Sequence, residues 1–132
     1  MQSKEICDVV MKLYLYADNT KMIHYSTNGN HYHELCDQIR ECILEFADEF
    51  AEQSFGYYGK PKYSDFKLKQ SIKQSEDLDK LCDNVIEMMA YYRTIFDKNE
   101  KTSGLVSLID DFKGSMNKLK FLSTFDKVIK AK

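Results

Sequence analysis

Apolar residues recur at intervals of three and four along most of this chain, the period of helices with one buried face. Ile6, Val9, Val10, Leu13, Ala17 and Ile23 keep that spacing and predict a first helix over about residues 4–26. Ser26-Thr27-Asn28-Gly29-Asn30 interrupts it; Gly29 can take a positive φ, and Asn30 is suited to cap the next helix. Leu35, Ile39, Cys42, Ile43, Phe46 and Phe50 then predict a second helix over about 31–55. It is expected to stop near Gly56, with the loop continuing through Gly59-Lys60-Pro61. Residues 62–75, rich in Lys, Ser and Gln, read as a long connection with room for a short helix around Phe66–Ile72. Leu78, Leu81, Cys82, Val85, Met88, Met89, Tyr92 and Ile95 predict a third helix over about 76–98. After Lys101-Thr102-Ser103-Gly104 comes a fourth stripe, Leu105, Leu108, Ile109, Phe112, Met116, Leu119 and Leu122. The tail from Lys127 to Lys132 holds three lysines and is expected to fray.

Two helices, a long connection and two more helices predict an all-α four-helix bundle. A single long connection in the middle suits a crossover between the ends of a bundle, the ferritin-like arrangement. The 132 residues match one domain spanning 1–132, and 43% hydrophobic content is enough for one core. A net charge of −2 gives no overall argument for a nucleic-acid or membrane partner. No apolar run approaches the roughly 20 residues of a membrane span, so no membrane partner is expected. Met1-Gln2-Ser3-Lys4-Glu5 has no basic segment leading into a hydrophobic one, so no secretory signal is expected. Cys7, Cys36, Cys42 and Cys82 form no CxxC pair and fit no closed zinc site. Reduced thiols and a cytoplasmic location are the expectation.

Four residues of the second helix carry the candidate chemistry. His33, Asp37, Asp48 and Glu52 follow one another at steps of four, eleven and four, which return to nearly the same helical face. Acidic residues on a helix are ordinarily a solvated face, and Glu34, Glu41, Glu45 and Glu49 are assigned that role. His33 with Asp37, and Asp48 with Glu52, are i,i+4 neighbours that can converge on one ion. Imidazole with carboxylates suits iron, manganese or zinc. The two pairs lie roughly 22 Å apart at 1.5 Å rise per residue, too far to share a metal. A second copy of this helix, antiparallel across a two-fold axis near Cys42, would set each pair against the other pair and make two equivalent sites. His24, at the end of the first helix, can join His33 if the chain folds back at Gly29; the alternative is a packed core histidine. His31 reads as a surface or helix-start residue. No Glu-x-x-His motif occurs, and Glu87 and Asp111 fit exposed positions, so a di-iron centre inside one bundle is disfavoured.

These residues resemble the Dps family of mini-ferritins, which protect DNA during starvation. His24-Tyr25 followed by Asn28-Gly29 is similar to the family's His-Trp and Gly segment at the end of the first helix. His33 and Asp37, then Asp48 and Ala51-Glu52, resemble its second-helix signature with the Asp-x-x-Ala-Glu ending. Gly56 to Pro61 resembles the turn after that helix, and Ser103-Gly104-Leu105 through Leu122 is similar to the last helix. The resemblance implies a dodecameric shell of identical chains, with ferroxidase sites at two-fold interfaces along the second helix. It assigns His24, His33 and Asp37 to one subunit and Asp48 and Glu52 to its neighbour, as ligands to one or two irons. It further implies oxidation of Fe2+ to Fe3+, commonly with peroxide, and storage of the ferric product against oxidative damage. Tyr25 stands where the family has Trp, the His24–His33 interval is shorter, and no long Lys-rich N-terminal tail is present. The Lys127–Lys132 tail could contact phosphates, but a solvated end is the default, and DNA binding has no support from the sequence. The departures leave an alternative: a non-catalytic ferritin-like scaffold or binding protein with a decayed or repurposed metal site.

Overall fold

A computed structural model describes residues 1–130, with side chains through Phe125. It contains four helices: α1 (Ser3–Ser26), α2 (Asn30–Tyr58), α3 (Leu78–Phe96) and α4 (Ser103–Lys130). Short 3-10 turns lie at Tyr63–Asp65 and Glu100–Thr102, and no strand occurs among the described residues. The expectation for the Lys127–Lys132 tail lies outside the described side chains; the backbone stays helical through Lys130.

The helix limits depart from the expected ones for local reasons. α2 runs through Gly56 and stops at Tyr58. Glycine inside a helix costs only about 1 kcal/mol relative to alanine, so Gly56 does not end it. The stop is Gly59, whose φ of 109° turns the chain while its N–H donates to the Phe55 carbonyl at 2.9 Å. At the other end Gly29, with φ 94°, occupies the cap position, and Asn30 is the first helical residue instead of the cap. The short helix expected around Phe66–Ile72 does not form. The 3-10 turn lies earlier, at Tyr63–Asp65, where the Asp65 carboxylate accepts the Lys62 N–H at 3.1 Å.

Cross-links between elements fix the topology. Ser3 Oγ donates to the Gly59 carbonyl at 2.7 Å, so α1 begins where α2 ends and the two run antiparallel. Asn19, near the end of α1, exchanges two hydrogen bonds with the Ser75 backbone, at 2.9 and 3.0 Å. The Tyr32 hydroxyl, at the start of α2, accepts the Leu78 N–H at 3.2 Å. Residues 59–77 therefore return the chain along the full bundle, and α3 runs parallel to α2. Asn99 donates to the Tyr57 hydroxyl at 2.8 Å, which places the α3–α4 turn at the opposite end. His31 Nε2 lies 3.2 Å from the Leu122 carbonyl, so α4 returns to the start of α2. α1 and α4 each pack against both α2 and α3.

The predicted stripes meet in one core. All six stripe positions of α1 are buried, as are Leu35, Ile39, Ile43, Phe46 and Phe50 of α2. Phe46 stacks on Phe112 of α4 at 4.0 Å, and Phe50 lies 5.9 Å from Phe96 of α3. At the surface the Arg93 guanidinium grips Asp110 with two hydrogen bonds, at 2.7 and 3.1 Å, and holds that carboxyl below the usual carboxylate range. All four cysteines are free. Burial pushes the Cys82 thiol up to about 12 and that of Cys42 to about 11, so neither is a ready thiolate. Among the described residues no helix is long and apolar enough to cross a membrane.

Phe50 is fully buried, and its ring contacts lead from α2 to α3 through Phe96 and, by way of Phe46, to Phe112 of α4. Phe50→Ala is expected to lower stability by about 3–5 kcal/mol. Urea unfolding followed by circular dichroism measures this, and an unchanged midpoint would contradict the packing described.

Candidate metal centre

The turn at Thr27–Gly29 is short, so the last turn of α1 lies directly against the first two turns of α2. His24 is the hub of that contact, only 7% exposed. Its ring faces that of His33 at 3.5 Å between centroids, tilted by 38°. Its Nδ1 lies 3.2 Å from Asp37 Oδ1 and 3.1 Å from the His33 carbonyl oxygen. Two acceptors at Nδ1 favour the tautomer that carries the proton there, which leaves the lone pair on Nε2. Asp37 in this geometry orients the imidazole, the role carboxylates commonly take behind a metal-binding histidine.

Two further residues complete the cluster. Lys21 Nζ approaches the same Asp37 oxygen at 3.6 Å and sits 5.2 Å from the centre of the Tyr25 ring. Tyr25 meets His24 edge-on at 5.4 Å and is 76% exposed. Nothing in the sequence singles out Lys21, although its place one turn before His24 puts it on the same flank of α1. It is a competitor for Asp37, because a cation already neutralises part of the charge a metal would use.

Asp48 and Glu52 stand apart. Both are exposed and form no hydrogen bond or ion pair among the described residues. They occupy the second half of α2, roughly 22 Å along the helix from His33 and Asp37 at 1.5 Å rise per residue. The fold thus brings together His24, His33 and Asp37 and leaves Asp48 and Glu52 outside that group. Within one chain, no three His, Cys, Asp or Glu side chains among the described residues are arranged to hold a metal ion. The donor types are those that suit a hard or borderline cation.

The neighbouring assignments sort cleanly. Glu34, Glu41, Glu45 and Glu49 are surface residues, and Glu49 accepts a hydrogen bond from Gln53. Glu87 and Asp111 are exposed, and Glu87 pairs with Lys73 at 3.8 Å. His31 is exposed and ties α2 to α4. Cys42 belongs to the apolar stripe of α2. It lines a recess with Phe46, Leu108 and Phe112, so it faces α4 and not the flank bearing His33 and Asp37. At its level, half-buried Arg40 and Leu44 occupy that flank instead.

Gly29 sets the turn that brings His24 to His33. A methyl group there meets no atom within 4 Å, so the obstacle to alanine is the positive φ alone. Gly29→Ala is expected to cost about 1–3 kcal/mol of backbone strain. Thermal unfolding of the variant measures it, and an unaltered transition would mean that the turn has another conformation open to it.

Comparison of the chain with family models, with curated proteins and with solved structures finds no match in any of the three. What these residues can do chemically rests on their own geometry.

Proposed function

We propose that this chain is a ferritin-like bundle of the Dps type, cytoplasmic and self-associating, that binds iron(II) as substrate, oxidises it and stores the ferric product. One observation carries the reading: His24 contacts both His33 and Asp37 at one end of the outer α1–α2 flank, while the exposed Asp48 and Glu52 form no hydrogen bond or ion pair among the described residues further along α2. Each group alone is an incomplete site. A second α2 laid antiparallel across a two-fold axis, at the level of residues 42–43, completes both. The helix order, with one crossover running the length of the bundle, supports the ferritin-like assignment.

In this reading His24 offers Nε2 while Asp37 and the His33 carbonyl hold its Nδ1 proton. His33 and Asp37 stand beside the neighbouring copy's Asp48 and Glu52. Imidazole keeps the affinity for iron(II) moderate, and the carboxylates favour the harder ferric ion. Each iron gives up one electron; peroxide takes up an electron pair with protons, its O–O bond breaks, and water leaves. Iron(II) binding displaces Lys21 from Asp37.

A second reading draws on that lysine. Lys21, His24 and Asp37 already form a self-sufficient contact between α1 and α2, as a helical scaffold without metal chemistry would need. Iron content and particle mass separate the two readings: a large homo-oligomer loaded with iron favours the first, an iron-free monomer or dimer the second.

Asp48→Ala and Glu52→Ala are expected to slow the rise of ferric absorbance after iron(II) and peroxide are mixed by at least about tenfold, the scale of disturbing even an indirect metal partner. Equal rates in both variants and the parent would sink the assignment. Loading has a pH dependence of known sign. Ligation needs neutral imidazoles and ionised carboxylates, and protons compete for both. Iron(II) bound per chain is therefore expected to fall from about pH 8 to about pH 5. A flat profile would exclude the histidines as ligands.

A further inference from the structure

The near-neutral charge of the chain conceals a segregation. Residues 60–73 of the crossover hold five lysines and a single acid, Asp65, on a chain whose total is −2, so the remainder is correspondingly acidic. Lys73 pairs with Glu87. Lys60, Lys62, Lys67 and Lys69 are exposed and form no ion pair among the described residues. Asp65 accepts the Lys62 backbone N–H, and Asp8 accepts from Gln70 of the crossover at 3.0 Å.

The same stretch carries the two most exposed large hydrophobic side chains among the described residues, Tyr63 at 94% and Leu68 at 83%. Single exposed apolar residues are commonplace. These two share one shallow recess with Met11 and Phe66, and Lys67 and Lys69 flank Leu68 on either side. Cations around an aliphatic and a tyrosine match the bilayer interface, where lysines meet anionic headgroups and amphipathic side chains sit at the acyl boundary. A nucleic-acid strand would use the lysines and could stack on Tyr63, but leucine offers no face for a base.

We infer that the crossover, through Tyr63, Leu68 and the adjoining Lys67 and Lys69, with Lys60 and Lys62 nearby in the chain, docks the protein peripherally on an anionic lipid bilayer. No transmembrane segment is involved. The expectation of no membrane partner rests on overall charge and on the lack of a spanning run, and neither bears on a local basic edge. The inference is independent of the metal site and shares no residue with it.

Co-sedimentation of the full chain with lipid vesicles tests this. The protein is expected to pellet with vesicles of phosphatidylcholine mixed with phosphatidylglycerol, to stay in solution with phosphatidylcholine alone, and to be released by salt. Each lysine near an anionic surface is worth about a fivefold factor, so the double variant Lys67→Glu/Lys69→Glu is expected to lower partitioning by more than about tenfold. Leu68→Ser, which keeps the charge, is expected to lower it several-fold, and Lys118→Glu on α4 to leave it unchanged. The altered crossover side chains are exposed, so circular dichroism of the variants is expected to match the parent. No binding to either vesicle, or equal binding to both, overturns the inference. So does full binding by Leu68→Ser together with displacement by a single-stranded oligonucleotide, which would make the edge a general polyanion site.

Discussion

The antiparallel packing of α1 on α2 is the contact on which the rest of the molecule depends. It buries most of two apolar stripes, each large side chain contributing roughly 1.5–3 kcal/mol when fully removed from water. α3 and α4 dock onto the remaining core face of that pair, through Phe96 and Phe112 among others. The register of α1 against α2 also sets His24 over His33 and within reach of Asp37. A polar cluster of this kind could not create the register; it exploits one fixed by hydrophobic burial.

Asp37 shows how lightly the cluster is bound to its present arrangement. Its side chain is half exposed, and it is shared by Lys21 and His24. Exposed ion pairs contribute about 0–1 kcal/mol, so the carboxylate is free to exchange partners at little cost. His24 is the opposite case, buried and held by two acceptors. The cluster therefore joins one fixed imidazole to one adaptable carboxylate.

Much of this is legible in the sequence, because helical periodicity depends on side-chain burial that any four-helix arrangement would demand. The stripe Ile6, Val9, Val10, Leu13, Ala17 and Ile23 is buried at every position. The approach of His24 to His33 can be read from the break at Gly29. Helix ends are less legible. Whether Gly56 or Gly59 stops α2 depends on which glycine turns left-handed while its N–H still finds a carbonyl, here that of Phe55. The side that Cys42 takes is legible too. It belongs to the apolar stripe, five residues beyond Asp37, and at about 100° each that carries it well round toward α4. Lys21 is hidden because its role requires a partner on another helix, and the preferred tautomer of His24 because it depends on atoms only the fold brings near.

The crossover is longer than its route requires. From Tyr58 back to the level of Tyr32 is about 39 Å at 1.5 Å per residue, a distance that roughly twelve fully extended residues could cover. Residues 59–77 hold over half as many again. Slack of this kind is cheap, since doubling a loop costs only about 0.6 kcal/mol in closure entropy. The surplus chain is taken up by the 3-10 turn at Tyr63–Asp65 and the irregular stretch after it. Connectivity thus constrains only part of this segment. The remainder can change in length and sequence without altering the order of the helices, so this is where the bundle can diverge most freely while its core stays the same.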